Sequence, residues 1–120
     1  MPVQRLHTDR RLSEINIHNG TVYLAGQLAD DFSGDIYQQT RETLANVDKF
    51  LAEAGSDKEH ILVVTIFLRD IALHFEGMNR AWDEWAAQGA TPGRTTVEAK
   101  LAKPDILVEI KVSAARHVPA

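Results

Sequence analysis

Apolar and polar positions follow two rhythms along this chain, and the rhythm indicates which element each segment forms. Ile15-Asn16-Ile17-His18 steps with a period of two, as a half-buried strand does. Asn19-Gly20 follows, a pair that tolerates the positive φ of a tight hairpin, and Thr21 to Ala25 reads as the return strand. Val3 to Leu6 is a further short strand-like stretch. After the mostly polar segment Gln27 to Gly34 the period lengthens. Tyr37, Thr40, Leu44, Val47, Leu51 and Ala54 recur at steps of three and four, which predicts a helix from about 35 to 54, stopped by Gly55. Ile61 to Leu68 (ILVVTIFL) is β-rich and apolar at nearly every position, which predicts a central strand covered on both faces. A second helix, from about 72 to 87, carries Phe75, Met78, Trp82 and Trp85 on one stripe and ends near Gly89. Thr91-Pro92-Gly93 then turns the chain.

The last third alternates again. Arg94 to Leu101 puts Thr95, Val97, Ala99 and Leu101 on one face and Arg94, Thr96, Glu98 and Lys100 on the other. Ile106 to Ser113 sorts Ile106, Val108, Ile110 and Val112 from Leu107, Glu109, Lys111 and Ser113. The short link Ala102 to Asp105 suggests a hairpin between these two strands. The order is β-β-β-α-β-α-β-β, an α+β chain whose economical packing is a mixed sheet with two helices on one face. On this reading the helices cover Val97, Ala99, Val108 and Ile110. The opposite face then carries Arg94, Thr96, Glu98, Glu109 and Lys111 beside apolar residues of the central strand. A face so mixed should not sit bare in water, so it is expected to be buried against symmetry copies, with its charges in clefts.

Composition narrows the function. A chain of 120 residues suits one domain, 1–120, and 44% hydrophobic residues can form a core without staples. There is no cysteine, which excludes disulfides, thiolate metal sites and a cysteine nucleophile. The formal net charge is −4 and Arg10-Arg11 is the only dense basic spot, a poor footprint for nucleic acid as a primary partner. No signal-peptide core opens the chain, and no stretch approaches the roughly 20 apolar residues of a membrane span. A cytoplasmic location is expected. The histidines (His7, His18, His60, His74 and His117) are dispersed, and Glu59-His60 lacks the second histidine of a zinc helix, so no metal is expected; no phosphate loop or dinucleotide fingerprint is visible, and no cofactor is expected.

Ordered words along nearly the whole chain resemble the RidA/YjgF family. They are Asn19-Gly20 through Ala25-Gly26-Gln27, Gln39 to Val47, Val64 to Asp70, and Met78-Asn79 with Trp82. Pro92-Gly93-Arg94-Thr95-Thr96-Val97 resembles the family's Pro-x-Arg signature, and Val108-Glu109-Ile110 its terminal acidic strand. Ile17-His18-Asn19, Ala81-Trp82-Asp83 and Val108 to Lys111 look like the branch typified by YoaB. The resemblance implies a fold similar to trimeric chorismate mutase, a homotrimer with three intersubunit clefts, and hydrolysis of reactive 2-imino acids to 2-oxo acids and ammonia.

By the same resemblance Arg94 is a bidentate clamp on a substrate carboxylate, a job a guanidinium fork fits well. The structural alternative is a surface arginine or an ion pair with Glu98 or Glu109. Glu109 would position or activate a water; its alternative is an interface ion pair. Gly26 and Ala25 are placed at the cleft floor, and Thr96 beside the ligand, although each also suits a purely structural role. Trp82 and Trp85 read chiefly as core. Two departures stand out. Leu12 falls near the position of a tyrosine in the main group, and Thr96 stands where cysteine is common. They leave open a non-catalytic protein that binds or senses a small 2-oxo acid in the same cleft. A chaperone-like interaction role would need an extended apolar patch that no segment marks.

Overall fold

The computed structural model describes residues 2–117. Its elements are β1 (Gln4–Thr8), β2 (Ser13–His18), β3 (Thr21–Leu24), α1 (Ile36–Glu53), β4 (Ile61–Leu68), α2 (Ile71–Trp85), β5 (Gly93–Glu98) and β6 (Val108–Ala115). The strands form one six-stranded sheet in the order β1-β2-β3-β6-β4-β5. Asn19 and Gly20, with φ of 52° and 79°, make the expected β2–β3 hairpin. Asp35 and Asp70 cap the two helices, each accepting from a backbone N–H three residues on.

Both helices pack on one face of the sheet. Ile15, Ile17, Val22, Leu24, Val64, Ile66, Leu68, Val108, Ile110 and Val112 from the strands meet Leu44, Val47, Leu51, Met78 and Trp82 from the helices in one buried core. Trp85 Nε1 donates to Asp48 Oδ2 at 2.9 Å and joins the helices near their far ends.

The expected hairpin at the end of the chain is not formed. β5 pairs in parallel with β4, and β6 lies on the other side of β4, antiparallel to it. Helix α2 supplies the crossover that a parallel pair requires. β5 stops at Glu98 and β6 starts at Val108, so the connection is long enough to cross the end of β4. Two polar residues pin it there. Arg69, just beyond β4, donates from Nε to the Ile106 carbonyl at 2.8 Å and from Nη2 to the carbonyls of Leu101 and Lys103. Gln39, fully buried on α1, donates to the Asp105 carbonyl at 2.9 Å and accepts from Leu107 N–H at 3.0 Å.

The faces of β5 are also the reverse of those expected. Arg94 and Thr96 are in register with Val64 and Ile66, whose side chains are buried under the helices. Paired residues share a face, so Arg94 and Thr96 lie on the helix side. Thr95 and Val97 lie on the open side, where Val97 is exposed rather than covered. β4 is internal, between β6 and β5, but within one chain its second face is uncovered: Val63 is 56% exposed.

Candidate functional site

Arg94 is the second residue of β5, an edge strand, and its side chain meets α2. Its guanidinium lies 5.3 Å from the Trp82 ring centroid and 6.0 Å from that of Phe75. Nη1 faces the Met78 sulfur at 4.0 Å, and that is its only side-chain hydrogen-bonding contact among the described residues. No carboxylate forms an ion pair with it among those residues. Glu98, one of the partners the sequence allowed, instead accepts from the Ile71 N–H at 3.0 Å at the start of α2. Burial against α2 draws the arginine below its ordinary pKa, and the charge of Asp83 opposes that shift. The group remains a cation. A half-buried guanidinium resting on a ring and a thioether has most of its five donors unused.

Glu109 occupies a different place. It pairs with Phe67 on β4, on the face opposite Val64 and therefore opposite Arg94. Its carboxylate covers Gly26. A Cβ added at Gly26 would stand 2.0 Å from Glu109 Oε2 and 2.8 Å from its Cδ. The missing side chain thus makes room for a carboxylate of the same chain. The backbone holds the two together, since Gln27 N–H donates to the Ile110 carbonyl at 2.8 Å and Ile110 N–H to that of Gln27 at 3.0 Å. Ala25 lies alongside, its carbonyl accepting from Gln27 Nε2 at 3.0 Å. Gln27 Nε2 also reaches Glu14 Oε1 at 3.1 Å, which sets a second carboxylate near this corner.

Leu12 sits in the β1–β2 turn. Its backbone N–H donates to Asp9 Oδ1 at 2.9 Å, and its side chain is 48% exposed. β1 and β5 are the two edges of the sheet, separated by five strand spacings, or roughly 24 Å.

Leu12 apart, the proposed residues therefore divide into two groups within a chain. Arg94 and Thr96 form one, on the helix face near one edge. Glu109, Gly26 and Ala25 form the other. Two strand spacings and three residues of register separate the Cα atoms of Arg94 and Glu109 by about 14 Å, with the side chains on opposite faces. Reading the residues alone missed the seat of Arg94, formed by Met78, Trp82 and Phe75, because it places Arg94 on the wrong side of its strand. Among the described residues no group of His, Asp and Glu is placed to hold a metal ion, and no helix is long and apolar enough to cross a membrane.

Comparison with known proteins agrees with this architecture. Residues 3–116 match the family described as Endoribonuclease L-PSP. A RutC family protein from Haemophilus ducreyi is 46% identical over 94% of this chain and 96% of its own length. RutC family protein YoaB of Escherichia coli K12 is 43% identical over 96% and 99%. Among solved structures, a YjgF family member from Neisseria meningitidis superposes with a TM-score of 0.95 at 40% identity, over 99% of this chain and 98% of that one. An uncharacterized protein from Pseudomonas aeruginosa gives 0.93 at 40% identity, over 97% and 100%. With a family match across nearly its whole length and relatives at 43% and 46% identity, the chain belongs to the RidA/YjgF family, on its YoaB-like branch.

Proposed function

We propose that this protein hydrolyses reactive 2-imino acids to 2-oxo acids and ammonia, in clefts between the subunits of a homotrimer. The observation that carries the reading is the Arg94 guanidinium, a half-buried cation whose only side-chain hydrogen-bonding contact among the described residues is a thioether. A planar carboxylate is the ligand that best satisfies such a fork. Because Arg94 and Glu109 lie on opposite faces of one sheet, a small ligand can touch both only if a second copy supplies one of them. The open sheet face supports such assembly, since Tyr23, Val63 and Val97 are all exposed on it.

In that cleft Arg94 holds the substrate carboxylate, with the hydroxyl of Thr96 on the same face. Glu109 orients a water towards the imine carbon and takes one of its protons. The C–O bond forms as the C=N pair withdraws onto nitrogen, which becomes protonated. The carbinolamine then collapses: its hydroxyl proton is passed to the amino nitrogen, C=O forms, and the C–N bond breaks with its electron pair leaving on nitrogen as ammonia. One water is consumed, and no electrons are exchanged with a further partner. Positioning and fixed charge can supply much of the acceleration because the imine is already reactive.

The test generates the imine in situ with an amino-acid oxidase and traps it with semicarbazide. Wild type is expected to lower the semicarbazone yield, and Arg94→Ala to lose that effect. A second reading, a binder of 2-oxo acids without turnover, is favoured by one observation: Leu12 offers only an exposed apolar side chain in the position near the main group's tyrosine. Arg94-dependent binding of 2-oxobutyrate without any effect on imine loss would select it. The family description names RNA cleavage, but a net charge of −4 gives a phosphate backbone no general attraction.

A further inference from the structure

A groove of about 290 Å³ runs between α1 and α2 on the solvent side of the helix layer. Arg41, Asp48, Lys58 and Glu84 line it, two cations and two anions. No ion pair joins any of them among the described residues. An aromatic ring stands between the charges at each end. At one end the Tyr37 hydroxyl donates to Glu84 Oε1, while the Arg41 guanidinium lies 5.8 Å from the Tyr37 ring centroid. Arg80 covers the same ring at 4.0 Å, and it too makes no ion pair among the described residues. At the other end Trp85 Nε1 donates to Asp48 Oδ2 at 2.9 Å. Lys58 Nζ lies 5.4 Å from that ring and donates to the Trp85 carbonyl at 2.7 Å. Buried Leu44 and Ala81 form an apolar floor between the two ends.

A ligand of one sign gains little here, because attraction to one pair of charges is offset by repulsion from the other. A ligand carrying both signs close together satisfies the groove. The charges are already tethered through the rings, so less side-chain freedom is lost when it binds. We infer that this groove is a binding site for a free α-amino acid, separate from the Arg94 seat. The carboxylate meets Arg41, the ammonium meets Glu84, and the side chain lies over Leu44 and Ala81 towards Trp85. The inference does not rest on the proposed reaction.

An NMR titration of purified wild-type protein, followed at the Trp85 indole N–H, tests it with norvaline, pentanoate and butylamine. The last two are norvaline without its ammonium and without its carboxylate. Norvaline should bind with a Kd on the order of 1 mM, and each single-charge analogue about tenfold more weakly, having lost one charge-assisted hydrogen bond. Arg41→Met should weaken norvaline about tenfold and leave butylamine unchanged. Glu84→Gln should weaken norvaline by a similar factor without weakening pentanoate. Both positions are exposed, and glutamine still accepts from the Tyr37 hydroxyl, so neither change disturbs the core. Because the Trp85 and Trp82 rings are 5.3 Å apart and Trp82 carries Arg94, the titration is repeated on Arg94→Ala, which should respond to norvaline as wild type does. A response lost in Arg94→Ala places the amino acid in the Arg94 seat and overturns the inference. So does norvaline that binds no better than pentanoate or butylamine, or binding that neither Arg41→Met nor Glu84→Gln weakens. The proposed imine hydrolysis can fail in its own assay while this site stands, and the reverse.

Discussion

At position 26 a methyl group would collide with the carboxylate of Glu109 at 2.0 Å. The obstacle is the end of a flexible side chain, so Gly26→Ala can be accommodated if that carboxylate swings aside. The expected result separates folding from function. The melting temperature should stay within about 3 °C of wild type, while imine turnover in the semicarbazide assay falls by about tenfold or more if, as proposed, Glu109 positions the water and loses it on displacement. Equal losses in both would mean that Gly26 serves folding alone. A different carboxylate contributes to the acid limb of stability. Asp57 is held below the usual carboxylate range, first by its hydrogen bond with His60, then by the Glu59 N–H and the charges of His60 and His117, with desolvation opposing. A depressed folded pKa stabilises the folded state fully above the unfolded value near pH 4, and that contribution disappears as pH falls through the folded pKa. The group is well exposed, so the effect is small, below about 1 kcal/mol. Asp57→Asn should lower the urea midpoint at pH 6, and the difference from wild type should shrink by pH 3.

At the scale of elements, the β5–β6 crossover depends on buried Gln39. Its Nε2 reaches the carbonyls of Phe32, Gly34 and Asp105, and its Oε1 accepts from Leu107 N–H. Gln39→Ala leaves those backbone groups without partners in the interior, at a cost of about 3 kcal/mol in urea unfolding. Gln39→Glu restores the acceptor but none of the donors, and should recover only part of the loss. The same crossover marks where the sequence stopped being informative. Both helices and the core face of β6 are legible because their periods run long enough to fix a side, and the β2–β3 hairpin because Asn19-Gly20 tolerates positive φ. For β5, alternation separates Arg94 and Thr96 from Thr95 and Val97, but it does not say which set faces inward. On an edge strand the inner surface is one helix, and there it presents rings and a thioether to which a guanidinium adheres. Connection length is similarly ambiguous: alternation continues past the real strand ends at Glu98 and Val108, so Ala102 to Asp105 reads as a tight turn inside what is a longer crossover. The pairing of Glu109 with Gly26 was out of reach, since it depends on the bridge between Gln27 and Ile110.

Across the whole molecule, the sheet works as a partition. Arg94 stands on one side of it and Glu109 on the other, so a chain that lacks either group still carries an intact copy of the other. Inactivity in Arg94→Ala and in Glu109→Ala should therefore be complementary rather than additive. The experiment is to unfold the two inert variants together and refold them as a mixture. In a ring of three where each cleft takes the arginine from one chain and the glutamate from the next, any ring containing both variants regains one complete cleft. Activity should then reappear in the mixture although neither parent has any, to roughly a quarter of the wild-type rate under random 1:1 assembly, because three rings in four are mixed and each holds one working cleft of three. If the blend stays as dead as its components, the two groups do not meet across a subunit boundary.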